Sequence, residues 1–298
     1  WCRKDLGAVR GAMELFRVLV DRFPKSPFRP DALHVLALER YEGKDPNSAL
    51  ATIKTLLADH PKSGAAVRAK VLKGRVLDEM GRHTEAIKVF DSFLAEHPKH
   101  ADVPRVLYNL SWAWWGVAKP KFAAADKAET AFRKARSEGR EADALKSAWK
   151  EKRSAARKDE DRMGEALTRL VQEYPAFPLI DAVHLRLGEI AYDRGQYERA
   201  HGHYQKALRA SKGRQDASIA DKAQYRIGWC LLRQAEAAQR EAEQAKDRSQ
   251  HAAIAKRAVE KRRHALEAFE ALATQYDKSG FAAEGYFRAA ELRRQSGD

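Results

Sequence analysis

The chain has 298 residues, of which 44% are hydrophobic and 33% are charged, and its formal net charge at pH 7 is +14. This apolar fraction permits a buried core and argues against a disordered chain. Two cysteines, Cys2 and Cys230, provide neither a disulfide framework nor a zinc site, and no apolar run reaches the roughly 18 residues that a membrane span requires.

The same helix ending recurs along the chain. The copies begin at Phe16, Ile53, Phe90, Leu167, Tyr204 and Phe269. The first three copies lie 37 residues apart, and two insertions account for the longer intervals. A repeat of this length predicts a solenoid of helix pairs, because each pair must bury its apolar face against a neighbour.

The period places helices in chain order. We expect them at about 9–23, 30–42, 47–60, 66–80, 83–97, 180–194, 197–210 and 281–295, with no β-strand. A small residue precedes the start of the repeated ending by 16 positions, at Ala37, Gly74 and Gly188. Small side chains there predict a close approach between the two helices of a pair, and a proline ends most second helices.

The two insertions predict helical arms. Residues 119–160 and 234–262 continue the helical spacing of their repeats, so each is expected to lengthen a helix pair into a hairpin. The first arm should bend at Pro120 and turn at Gly139, and the second should turn near Ser249. For the first insertion a degenerate extra repeat is the alternative, because its 40 extra residues approach one period. The high charge of residues 143–159 argues against that alternative.

Leu187-Gly188, Ala200, Tyr204 and Ala207 match the consensus of the tetratricopeptide repeat. The chain therefore resembles that family. The 37-residue period, with tyrosine or histidine before the proline, is similar to the envelope members of bacteria, the BamD-type lipoproteins and the cell-division coordinators. The resemblance implies an all-α solenoid over residues 1–298, cut at both ends from a longer array. It also favours a periplasmic or outer-membrane location in a bacterium, with a cytoplasmic location as the alternative.

The sequence offers no motif for chemistry. It lacks the phosphate-binding, nucleophile-elbow, zinc-protease and dinucleotide patterns. His201 and His203, two apart on a helix, should diverge and not chelate one metal. Cys230, beside Trp229, fits a small buried hydrophobe. We therefore predict no catalytic residue, no metal, no cofactor and no enzymatic activity.

Aromatic residues recur where the first helix of each pair would line a concave groove. They are Tyr41, Tyr108, Trp112, Trp115, Tyr192, Tyr225 and Trp229. One interpretation is a groove that binds an extended or helical segment of another protein through aromatic anchors. The alternative is that these rings fill space between helices. The lysine and asparagine clamp of chaperone-binding relatives is absent, since His34, Leu38, Val71 and Arg75 stand at those positions.

The sequence thus predicts a protein-interaction scaffold that assembles other proteins through this groove and the two arms. The rival hypothesis is a nucleic-acid-binding repeat protein, since residues 119–160 contain 13 basic and 8 acidic side chains. The interspersed acids argue against that rival because they would repel phosphates.

Overall fold

The computed structural model describes residues 6–214 and 216–296, and within those ranges every regular element is an α-helix. The helices are α1 (Leu6–Arg22), α2 (Arg29–Glu42), α3 (Pro46–Asp59), α4 (Gly64–Glu79), α5 (His83–Glu96), α6 (Val103–Ser137), α7 (Asp143–Glu173), α8 (Ile180–Asp193), α9 (Tyr197–Ala210), α10 (Ser218–Gln244), α11 (Arg248–Gln275) and α12 (Ala282–Ser296). The all-α prediction is confirmed.

Local sequence signals set the helix ends. The Asp45 side chain accepts a 3.0 Å hydrogen bond from the Ser48 backbone N–H, and Pro46 begins α3 directly after this cap. Ser63 caps α4 in the same way, through a 3.1 Å bond from the Ala66 N–H. The observed helices agree with the expected ones to within a few residues.

The chain divides into two compact units, residues 1–166 and 167–298, and the boundary falls within α7. The expectation that residues 1–298 form one uninterrupted solenoid stays a prediction.

The first unit contains α1 to α6 and most of α7. Its largest fully buried side chains include Ile53, Leu56, Leu77, Phe90, Phe93, Leu107 and Met163. Gly74 on α4 faces the ring of Phe90 on α5 so closely that an added Cβ would overlap that ring. The small residue predicted at this position therefore lets the two helices of the pair approach each other.

The first arm contains two long helices. Helix α6 has 35 residues and continues through Pro120, and α7 has 31. The turn contains Gly139 with φ +69°, a conformation that favours glycine. Two long helices joined at Gly139 are the elements that the predicted hairpin requires, and the hairpin itself stays a prediction.

The second unit contains the end of α7 and helices α8 to α12. An added Cβ on Gly188 would lie 2.5 Å from the ring of Tyr204, and one on Gly228 would lie 2.7 Å from the ring of Phe269. Helices α10 and α11, with 27 and 28 residues, form the second arm. Its turn occupies residues 245–247, slightly before Ser249, which lies in the first turn of α11.

Candidate functional site

All seven predicted groove residues lie on the first helix of a pair. Tyr41 is on α2; Tyr108, Trp112 and Trp115 are on α6; Tyr192 is on α8; Tyr225 and Trp229 are on α10. The first four belong to the first unit and the last three to the second.

Trp112 is the most exposed of the predicted groove residues in the first unit. Its surface is 41% exposed, and Tyr108, one turn earlier, contacts it edge to face with ring centroids 6.1 Å apart. An edge-to-face neighbour restricts the indole while leaving much of its surface in water. Trp112 therefore has the exposure and the residue type of a binding anchor.

The other aromatic residues of the first unit have intramolecular neighbours. The Arg75 guanidinium lies 5.0 Å from the centroid of the Tyr41 ring, and both residues are on first helices. Trp115 packs against Phe122 with ring centroids 6.0 Å apart, along α6 where the arm begins. Trp115 therefore packs where the arm begins, and one face of the Tyr41 ring is covered by Arg75.

In the second unit the predicted anchors also pack between helices. Tyr225 stacks on Phe281 with centroids 4.7 Å apart, and its hydroxyl donates a 2.9 Å hydrogen bond to Glu284 Oε2. Trp229 meets the buried ring of Phe269 edge-on at 6.0 Å. Both residues are half-buried. The space-filling alternative thus describes these two rings better than it describes Trp112.

Arginines cover the aromatic faces of the second unit. Arg288 and Arg233 lie 4.8 Å and 5.7 Å from the centroid of Trp229, and Arg226 lies 5.4 Å from that of Tyr192. Burial raises the pKa of Tyr192, so its phenol stays neutral. Arg233 and Arg288 also pair with Glu236 and Glu291, at 2.8 Å and 2.7 Å, so their charge is partly neutralised within the chain.

Two histidines meet between α8 and α9. His184 Nδ1 and His203 Nδ1 are 3.2 Å apart, and the pKa of His203 is lowered to about 4, first by burial and then by His184. Burial lowers the pKa of His184 as well, so both rings favour the neutral form, in which one Nδ1–H donates to the other Nδ1. His201 lies beside Lys261 and His264, and burial lowers its pKa too. Across residues 6–214 and 216–296, no group of three or more histidine, cysteine or acidic side chains could hold a metal.

Cys230 is a buried thiol. Burial raises its pKa to about 12, so the thiol remains protonated at neutral pH. A protonated, enclosed thiol is a poor nucleophile and packs as a small hydrophobe.

A further aromatic pair lies on the first arm, and the sequence analysis did not single it out as a site. Phe132 of α6 stacks on Trp149 of α7, with centroids 5.8 Å apart and the rings 9° from parallel. The pair borders a cleft of about 490 Å³. The signal in the sequence was the placement of two large aromatics within an arm whose apolar positions are mostly alanine.

None of the helices in the described part of the chain combines the length and apolar character that crossing a membrane requires.

Two segments of the chain match family models. Residues 34–115 match one tetratricopeptide repeat model, and residues 182–213 match a second. These segments are therefore tetratricopeptide repeats. A search among curated proteins found no match.

Several solved structures are similar to this chain at low identity. MamA 41-end from Desulfovibrio magneticus RS-1 is 17% identical, with 70% of this chain and 91% of that chain covered and a TM-score of 0.45. A TPR repeats protein (BF2334) from Bacteroides fragilis NCTC 9343 is 13% identical, with 89% and 98% covered and a TM-score of 0.45. BtubC from P. vanneervenii is 17% identical, with 87% and 89% covered and a TM-score of 0.46. At these identities and TM-scores, none of the three indicates a function for this chain.

Proposed function

We propose, from the premise that residues 34–115 and 182–213 are tetratricopeptide repeats, that this protein is a non-catalytic scaffold that assembles other proteins into a complex. Tetratricopeptide repeat proteins are generally protein-interaction scaffolds, and a solenoid presents a large surface relative to its length. The partner segment would lie against first helices and would contact the arms as well.

The observation that carries this proposal is the exposure of Trp112 on a first helix. A 41% exposed tryptophan held edge-on by Tyr108 is preorganised for contact, because little side-chain entropy remains to be lost on binding. In the second unit, Arg226 over the Tyr192 ring favours a partner segment with a carboxylate.

Location in a bacterial envelope is part of the proposal and rests on the 37-residue period and on the tyrosine or histidine before the repeat proline. Fractionation of the producing cell, with antibodies against this chain, tests it. Recovery of the chain in the cytoplasmic fraction would contradict the envelope assignment and leave the scaffold role standing.

The decisive experiment removes the Trp112 ring. We expect Trp112→Ala to weaken capture of the partner from cells of the source organism by about tenfold or more, as loss of an interface tryptophan commonly does. Because Trp112 is largely exposed, the free energy of unfolding should change by less than about 1 kcal/mol. Co-purification with quantitative mass spectrometry measures the first effect and thermal unfolding the second.

Phe23→Ala is the matched control, because it removes a 58% exposed ring from the loop that follows α1. The control should leave capture unchanged. If the wild type and Trp112→Ala captured equal amounts of partner protein, the hypothesis that the groove binds the partner would be refuted. Trp229→Ala is unsuited to this test because the ring packs on Phe269, so its loss also destabilises the fold.

A further inference from the structure

The outer part of the first arm contains a cleft whose walls are aromatic and basic. It is lined by Glu129, Phe132, Arg133, Arg136, Ser137 and Trp149, and its volume is about 490 Å³. This volume exceeds that of a single large side chain. The cleft lies within the first unit, between the ends of α6 and α7 nearest the turn at Gly139.

The aromatic pair differs from the other helix contacts of the arm. Elsewhere along the arm, alanines make the contact between the helices: Ala125, Ala135 and Ala156 are 0 to 1% exposed. Phe132 and Trp149 depart from that pattern and remain only half-buried. Leu145, one turn from Trp149 on the same face of α7, is 37% exposed. The outer arm thus holds more apolar surface than its own packing covers.

The polar groups of the cleft indicate the charge of its occupant. Arg133 is engaged by Glu129, with Nε 3.0 Å from Oε1. The Arg136 guanidinium is exposed and has no acidic partner within the described part of the chain. A ligand carboxylate would pair with Arg136.

We propose that this cleft, which we call the arm cleft, docks an acidic protein segment that inserts one apolar side chain against Phe132 and Trp149. The inserted side chain covers the exposed ring surface, and the flanking carboxylates meet Arg136. The inference rests on the proposed scaffold function and names the chemistry of the partner that the arm receives.

The test uses the full chain and a synthetic peptide, EEEFEEE. Nitrogen-15 labelling of the indoles gives one signal for each of the six tryptophans, and Trp149→Phe identifies the Trp149 signal. We expect the peptide to shift that signal with a dissociation constant on the order of 100 µM, since the contact is small. Arg136→Glu should weaken binding by about tenfold, because it replaces attraction with repulsion.

Matched controls separate the cleft from general charge attraction. Lys127→Glu makes the same charge change on the same helix, outside the cleft lining, and should weaken binding by less than about twofold. The peptide EEEAEEE lacks the apolar side chain and should bind at least about fivefold more weakly. KKKFKKK should not shift the Trp149 signal.

Three results would contradict the docking proposal or limit what it means. The docking proposal would be overturned if millimolar EEEFEEE left the Trp149 signal unmoved. It would also be overturned if EEEAEEE bound as tightly as EEEFEEE. A shift that appears on concentrating the protein without peptide would assign the cleft to a second copy of the chain and would equally overturn it. Circular dichroism should show unchanged helicity in Arg136→Glu. If the peptide fails while partner capture still depends on Trp112, only the arm cleft is wrong and the scaffold proposal stands.

Discussion

At the scale of single residues, the absence of a side chain decides how closely paired helices pack. Gly188 leaves room for Tyr204, which is fully buried, and Gly228 does the same for Phe269. An aromatic ring from the second helix thus lies over the backbone of the first. Since protein cores are close-packed, the ring has little space into which it could move.

This packing predicts the effect of one added methyl group. Gly188→Ala places a Cβ 2.5 Å from the Tyr204 ring, so we expect a loss of about 1–3 kcal/mol in the free energy of unfolding. Gly202→Ala, in α9, is the matched control because no atom lies within 4 Å of its added Cβ. The control should be neutral or should stabilise by up to about 1 kcal/mol through helix propensity. Urea unfolding followed by circular dichroism measures both, and equal midpoints for the two variants would contradict the packing argument.

At the scale of elements, the arms are helices that close on little apolar area. Ala125, Ala135 and Ala156 bury small side chains, and the ion pairs Lys121–Asp159 and Arg153–Asp126 are partly solvent-exposed. Exposed ion pairs contribute about 0–1 kcal/mol each. The small alanine side chains let α6 and α7 approach closely. Because the alanines and the ion pairs each contribute little free energy, every helical turn of the arm is only weakly stabilised.

Hydrogen exchange should show that stability falls toward the arm tips. Amides at 130–150 and at 243–256 are expected to exchange faster than those at 185–208, because few apolar contacts hold the outer turns closed. The region 185–208 serves as the internal reference, since α8 and α9 enclose Leu187, Ile190 and Tyr204 in the core of the second unit. Mass spectrometry of the exchanging protein resolves these segments. Uniform protection across all three segments would show that the arms are as stable as the repeats.

At the scale of the whole molecule, the net charge of +14 raises the question of polyanion binding. Many of the basic side chains are already paired with acids, for example Arg169 with Glu173 at 2.9 Å and Lys222 with Glu189 at 2.6 Å. Phosphates would meet these carboxylates wherever they approach the cations. At these described ion pairs the carboxylates offset the attraction between the cations and phosphate.

We consequently expect weak, salt-sensitive binding of nucleic acid. Fluorescence anisotropy with a labelled single-stranded oligonucleotide should show any binding at 20 mM salt disappear by about 150 mM, as nonspecific electrostatic binding does. An uncharged morpholino of the same sequence is the control. Submicromolar affinity that persists at 150 mM salt would favour the nucleic-acid hypothesis over the scaffold.

The sequence by itself determined the fold class and the helix pairs, and it predicted the two arms. These features depend on local and periodic signals: the 37-residue register, caps such as Asp45 and Ser63, and Gly139 at the first turn. Such signals act between neighbours in the chain or between adjacent repeats, so the pattern of residue types carries them. The small turn displacement at Ser249 reflects the weaker signal in the second arm.

Only the tertiary structure decided which aromatic side chains remain available for binding. Trp112 and Trp229 occupy comparable first-helix positions, yet one is exposed and the other packs on Phe269 beneath Arg288. The pairing of Phe132 with Trp149 and of His184 with His203 also required the fold. Exposure and pairing depend on side chains contributed by other helices, often tens of residues away. A periodic pattern specifies which face a residue occupies, and the neighbouring helix determines whether that face is covered.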